Sequence, residues 1–104
     1  MKNETHVLLV KSRQVPMVEI DAEASALYIR FQKGRVAKTI RHPSKWPLVT
    51  VDLDADGDVL GVEFVGVSNF NLPALLRKAA VKAPADFIAR AQFQLAPKHA
   101  PAAA

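Results

Sequence analysis

One stretch limits this chain more than any other: Leu48 to Val65, LVTVDLDADGDVLGVEFV. Val49, Val51 and Leu53 alternate with Thr50, Asp52 and Asp54. After Ala55-Asp56-Gly57-Asp58, Leu60, Val62 and Phe64 alternate with Gly61, Glu63 and Val65. Period-two alternation marks a strand with one buried face, and Asp-Gly between two such runs marks a tight hairpin. A two-stranded ribbon is not stable alone. The rest of the chain must supply further strands and a cover for the apolar face.

Those elements are legible on both sides of the hairpin. Val18-Glu19-Ile20 begins the regular part, and Asp21 can hold the turn that follows it. In Ala26 to Gln32, Leu27, Ile29 and Phe31 fall on one face and Tyr28 and Arg30 on the other. Lys33-Gly34 is expected to be a two-residue turn into a returning strand, Arg35 to Arg41. His42 to Pro47 is a loop, because two prolines exclude helix and central strand there. Trp46, between those prolines, is expected to clasp one sheet edge or to contact a partner.

After the hairpin the period changes. Leu72, Leu75, Leu76, Ala79 and Ala80 fit one face of a helix, with Asn71 as its N-cap and Pro73 in its first turn. A second helix is expected from Pro84 to about Leu95, with Phe87, Ile88, Ala91 and Leu95 as its apolar stripe. The expected fold class is therefore α+β: an antiparallel β-meander of four or five strands, followed by one or two C-terminal helices packing on one face. Residues 1–104 read as a single small domain. Residues 1–16 form an N-terminal arm or edge strand, 17–68 the meander, 71–95 a helical segment and 96–104 a disordered tail.

Composition narrows the chemistry. The chain has no cysteine, so disulfides and thiolate chemistry are excluded, and the expected compartment is the cytoplasm. No secretory leader pattern is visible. No apolar run approaches the roughly 20 residues of a membrane span. The net charge is +4, but its distribution matters more. Arg30, Lys33, Arg35, Lys38, Arg41 and Lys45 fall in a segment without acids. Asp52, Asp54, Asp56, Asp58 and Glu63 fall in one without bases. Two such segments either pair across a sheet or offer a basic face to an acidic partner.

Asp52, Asp54, Asp56, Gly57 and Glu63 match the pattern of a calcium-binding helix-loop-helix at every specified position. That motif needs a helix on each side, and both flanks here are strand, so the acids read as a hairpin and no metal site is assigned. Serines at 12, 25, 44 and 68 and histidines at 6, 42 and 99 form no nucleophile motif. Glu19, Asp21 and Glu23 read as exposed turn and strand residues rather than a catalytic pair. The glycines are too dispersed for a phosphate-binding loop. No catalytic residue and no cofactor is assigned. Arg30, Arg35, Lys38, Arg41 and Lys45, with Tyr28 and Trp46 as stacking groups, are the candidate nucleic-acid contacts.

Asp21-Ala-Glu-Ala-Ser-Ala-Leu-Tyr-Ile29 and Val51-Asp-Leu-Asp-Ala-Asp-Gly-Asp-Val-Leu-Gly-Val-Glu-Phe64 together resemble a small bacterial family, domain of unknown function 2283. Asp21, Leu27, Tyr28, Ile29, Asp52, Asp54, Gly57, Gly61 and Glu63 fall on its pattern. Ile20 stands where the family often has Tyr, and Ser25 where it usually has Asp. The resemblance covers about Val18 to Ser68. It implies a small antiparallel sheet followed by a helix, no established activity, and an antitoxin-like partner role as one possibility.

The sequence thus leads to an expectation of a small non-enzymatic interaction protein. It would form a homo-oligomer through its sheet or bind a small protein partner through Phe87, Ile88 and the rest of the last apolar stripe. The alternative is a nucleic-acid-associated module using the basic strands 30–45. No membrane partner is expected.

Overall fold

Alternation in sequence becomes two unlike faces of one sheet. The computed structural model describes residues 7–43 and 45–96. Its elements run β1 (Leu8–Leu9), β2 (Met17–Asp21), β3 (Ala26–Arg30), β4 (Lys38–Arg41), β5 (Leu48–Leu53) and β6 (Val59–Val65). Then follow α1 (Leu72–Ala79), β7 (Val81–Lys82), α2 (Ala85–Ala89) and β8 (Gln92–Leu95). The fold is α+β, with a mostly antiparallel sheet and two short helices. The expectations for His6, Ser44, His99 and the tail beyond Ala96 lie outside the described residues.

The main sheet has six strands, not four or five, in the order β4-β5-β6-β3-β2-β8. All neighbours are antiparallel except β2 and β8. The sixth strand is Gln92–Leu95, which the sequence places at the end of a long helix; 71–95 is therefore not wholly helical. Helix α2 stops at Ala89, and β8 then runs parallel to β2, with Phe93 beside Val18 and Leu95 beside Ile20. Gln92 N–H donates to Pro16 O at 3.0 Å and Ala96 N–H to Ile20 O at 2.8 Å. The open edge of β2 leaves backbone groups that a strand can satisfy and a helix cannot.

A second correction concerns Lys33-Gly34. It is not a hairpin turn, because β3 pairs with β6 and β2, while β4 pairs with β5. Residues 31–37 instead cross the turn end of the β5–β6 hairpin. Phe31 N–H donates to Leu60 O at 2.8 Å, and Ala37 N–H to Leu53 O at 2.8 Å. Gly34 lies close on Leu60, since a Cβ there would stand 2.7 Å from its Cδ2. The choice follows from packing. Strand β6 offers Phe64 and Val62 to Leu27 and Ile29, whereas β4 has only Ile40 on that face. The arrangement is a Greek key rather than a continuous meander.

The core lies on one face of the sheet. Val18, Leu27, Ile29, Val49, Val62 and Phe64 are almost wholly buried. They share one cluster with Leu72, Leu75, Leu76 and Ala79 of α1 and with Ile88 of α2. Helix α1 has the expected cap: Asn71 Oδ1 accepts from Ala74 N–H at 3.0 Å. It ends at Ala80, which takes a left-handed conformation at φ 59°. Within the N-terminal arm, Leu8–Leu9 forms a strand of a second, two-stranded sheet. Strand β1 runs parallel to β7, and Leu8 N–H donates to Ala80 O at 2.9 Å.

Candidate functional site

The face opposite the core carries a polar ladder across the sheet. On β5, Asp52 accepts two hydrogen bonds, from Thr39 Oγ1 of β4 at 2.7 Å and from Tyr28 Oη of β3 at 2.9 Å. The Tyr28 ring reaches over β6 because position 61 is glycine. A Cβ there would fall 2.1 Å from the Tyr28 hydroxyl. Burial, and then the neighbouring Asp52 carboxylate, push the Tyr28 hydroxyl well above the usual phenol range. Arg30 lies 5.4 Å from the Tyr28 ring centroid and 3.7 Å from Glu19, and Gln94 Nε2 donates to Glu19 Oε2 at 3.2 Å. Polar groups are thus matched from β4 to β8.

This ladder gives several family-pattern residues a physical role. Tyr28, Asp52 and Gly61 form one unit; Leu27 and Ile29 are core. Asp54 organises the hairpin turn, its Oδ1 accepting from Asp56 N–H and Asp58 N–H, both at 2.9 Å. Gly57 takes φ 84°, which a glycine adopts without a Cβ penalty. Asp21 Oδ1 accepts from Ala24 N–H at 3.2 Å, as the turn reading expects. Glu63 is exposed between Tyr28 and Thr50.

The calcium-like pattern is divided by the fold. Carboxylates of Asp54, Asp56 and Asp58 come within 4.8 Å of one another. Asp52 and Glu63 lie instead on the ladder face of β5 and β6, and Asp52 is engaged by Tyr28 and Thr39. Both flanks of the turn are strand.

The basic candidates separate as well. Arg30 belongs to the ladder. Arg35, Lys38, Arg41 and Lys45 are all exposed along β4 and its two connections. The ion pairs among the described residues are Lys11–Asp58, Arg30–Glu19 and Arg90–Asp86, so these four stand outside them. Trp46 follows Lys45. It covers the end of the central hairpin rather than a sheet edge, packing on Gly66, where a Cβ would meet Trp46 Cζ2 at 2.2 Å. The residue as a whole is nonetheless 63% exposed.

The opposite edge is chemically different. Strand β8 reads Gln-Phe-Gln-Leu, with no charge. Phe93 is 51% and Leu95 77% exposed, on the core side of the sheet. Beside them, α1, α2 and the 80–83 segment border an open, mainly apolar cavity of about 460 Å³, lined in part by Phe70, Leu76, Ile88 and Phe93. Of the expected partner stripe, Ile88 is core, Phe87 is half-buried with Arg90 5.2 Å from its ring centroid, and Leu95 lies on β8. The stripe reading therefore missed Phe93. The signal for it was the period-two alternation of Gln92 to Leu95.

These features define a class: an α+β protein with a helix-covered sheet, a polar ladder on its open face, and two unlike edges. A family model described as "Protein of unknown function (DUF2283)" matches residues 17–68, half of the chain, and the protein belongs to that family. The match runs from β2 through β6 and so contains the ladder's centre and the basic edge. Strand β8 and both helices lie beyond it. No curated protein and no solved structure matches the chain. Among the described residues, no helix is long and apolar enough to cross a membrane.

Proposed function

We propose that this is a cytoplasmic, non-enzymatic interaction protein whose docking surface is the β8 edge with the apolar cavity beside it. One observation carries the reading: an uncharged edge strand exposes Phe93 and Leu95. Sheet edges left open are ordinarily blunted by charge, proline or cover, because they template strand addition. Here the blunting charges are on the other edge. Tyr28 and Asp52, the most coupled polar pair, hold each other across the sheet and serve as architecture. An antitoxin-like role fits a protein that works by pairing and performs no chemistry.

The test is capture of partners from a lysate of the native host by the tagged full chain, with and without nuclease. The reading expects a nuclease-resistant protein, this chain itself included, that is lost with Phe93→Lys or Leu95→Lys. Truncation at Pro84 is the wrong tool, because Ile88 is core and β8 covers β2. Equal recovery by wild type and both variants would remove the surface from consideration.

A second reading rests on the single-sign edge of Arg35, Lys38, Arg41 and Lys45 with the exposed Trp46. It is a nucleic-acid contact, and its mark is salt dependence through counterion release. Arg35→Glu combined with Lys38→Glu should abolish retention on nucleic acid, and unchanged retention would dismiss it.

A further inference from the structure

We propose that β8 pairs with β8 of a second copy, antiparallel, about a two-fold axis through Gln94, so that two sheets become one. The inference rests on the β8 edge being the docking surface and names its occupant.

The backbone sets the register. Gln92 and Ala96 direct their N–H groups to β2. In a parallel ladder alternate residues face alternate sides, so the backbone groups of Phe93 and Leu95 face outward. Two such strands run antiparallel with the axis at Gln94 place Phe93 opposite Leu95 of the other copy, exchanging both backbone hydrogen bonds, and the reciprocal pair does the same. Side chains then sort themselves. Phe93 and Leu95 of both copies meet on the core side and continue the apolar lining of the two cavities. The two Gln94 amides meet on the ladder side. Each already gives one N–H to Glu19, which leaves one donor and one acceptor to match the other amide.

Charge selects this occupant and this edge. No charged residue lies in Gln92–Leu95, and Glu19, the nearest acid on the ladder, is already paired with Arg30. Self-pairing at β4 would instead bring Lys38 and Arg41, with Arg35 and Lys45 beside them, up against the same four charges of the other copy, and like charges across strands repel. A four-residue strand contact stays below the roughly 1,200 Å² of a standard interface. The dimer is therefore a weak one that dissociates on dilution.

The chain has no cysteine, so one introduced thiol reports one position. At the axis the two Gln94 Cα atoms stand about 4.5 Å apart, inside the disulfide range of about 4.4–6.8 Å. Gln94→Cys in the full chain should give a reducible, covalent dimer on mild oxidation. Phe93→Cys, whose two copies are offset by about 9 Å from strand rise and spacing, should not, nor should Thr39→Cys on β4. By sedimentation, the cysteine-free protein should pass from monomer to dimer with concentration, and Leu95→Lys should remain monomeric with an unchanged melting temperature. A cysteine-free monomer at every concentration would overturn the proposal, as would a dimer that survives Leu95→Lys or equal cross-linking at Thr39→Cys. If the chain is monomeric yet Leu95→Lys still loses a captured protein, the second copy is the wrong occupant and the edge reading stands. If capture is also indifferent to Leu95→Lys, both fall.

Discussion

Strands β4 and β8 close the two edges of one sheet, with the sequences Lys-Thr-Ile-Arg and Gln-Phe-Gln-Leu. Both are four residues long, and both present alternate backbone groups to solvent. They differ in what stands beside those groups. Lys38 and Arg41, with Arg35 and Lys45 on the flanking connections, surround one edge with charge that an incoming strand must desolvate. The other edge offers Phe93 and Leu95 and no charge. On the reading proposed above, the small sheet confines its own stickiness: one edge is closed by electrostatics, and the other is left competent to pair.

Both edges hang on one core but depend on different anchors. Phe64→Ala, beneath the middle of the sheet, should cost about 3–5 kcal/mol and weaken both edges together in a denaturant titration. Ile88→Ala should cost about 2–4 kcal/mol. Its amide exchange should rise at β8 before β4, because Ile88 sits on the helix that delivers β8. Simultaneous loss at both edges would remove the distinction.

The ladder that joins the edges is tested at Gly61. Gly61→Ala should cost about 1–3 kcal/mol, because the Tyr28 ring must leave its place. In a Tyr28→Ala background the cost should largely vanish, and additivity of the two changes would contradict the contact.

Alkaline pH tests the same pair. The folded Tyr28 hydroxyl titrates above its unfolded value. Its stabilising contribution is therefore complete below a pH of about 10 and is lost as pH rises beyond that. Tyr28 is the only tyrosine, so tyrosinate absorbance reads it directly and should appear only with alkaline unfolding. Tyr28→Phe should flatten that part of the stability curve.

Smallest is the effect at the edges themselves. Lys38→Glu, Arg41→Glu and Leu95→Lys should each change monomer stability by less than about 0.5 kcal/mol, since all three side chains are exposed. A larger change at any of them would mean the edge is structural.

Much of this architecture was legible. The hairpin, the α1 helix with its Asn71 cap and the buried row Leu27, Ile29 and Phe31 follow from local periodicity and turn chemistry. The failures were non-local. Lys33-Gly34 has the composition of a hairpin turn, but β3 gains more apolar partners from β6 than from β4, and no local pattern weighs that competition. Gln92 to Leu95 fits a helical stripe and a strand equally well. The open edge of β2, seventy-five residues from Gln94 in the case of Glu19, decides between them. The site was half legible for the same reason. Asp52, Tyr28 and Gly61 stood on the family pattern, but their joining across three strands appears only in the fold. Thr39 carried no signal as a partner, and Phe93 only the short alternation of Gln92 to Leu95.

Amide hydrogen exchange at the two edges, followed as protein concentration rises, tests the central claim most directly. The outward N–H groups of Phe93 and Leu95 on β8, and of Thr39 and Arg41 on β4, should all exchange quickly in dilute solution. At high concentration the account predicts protection at Phe93 and Leu95 and none at Thr39 and Arg41. Protection that rises at β4, or at neither edge, would contradict it.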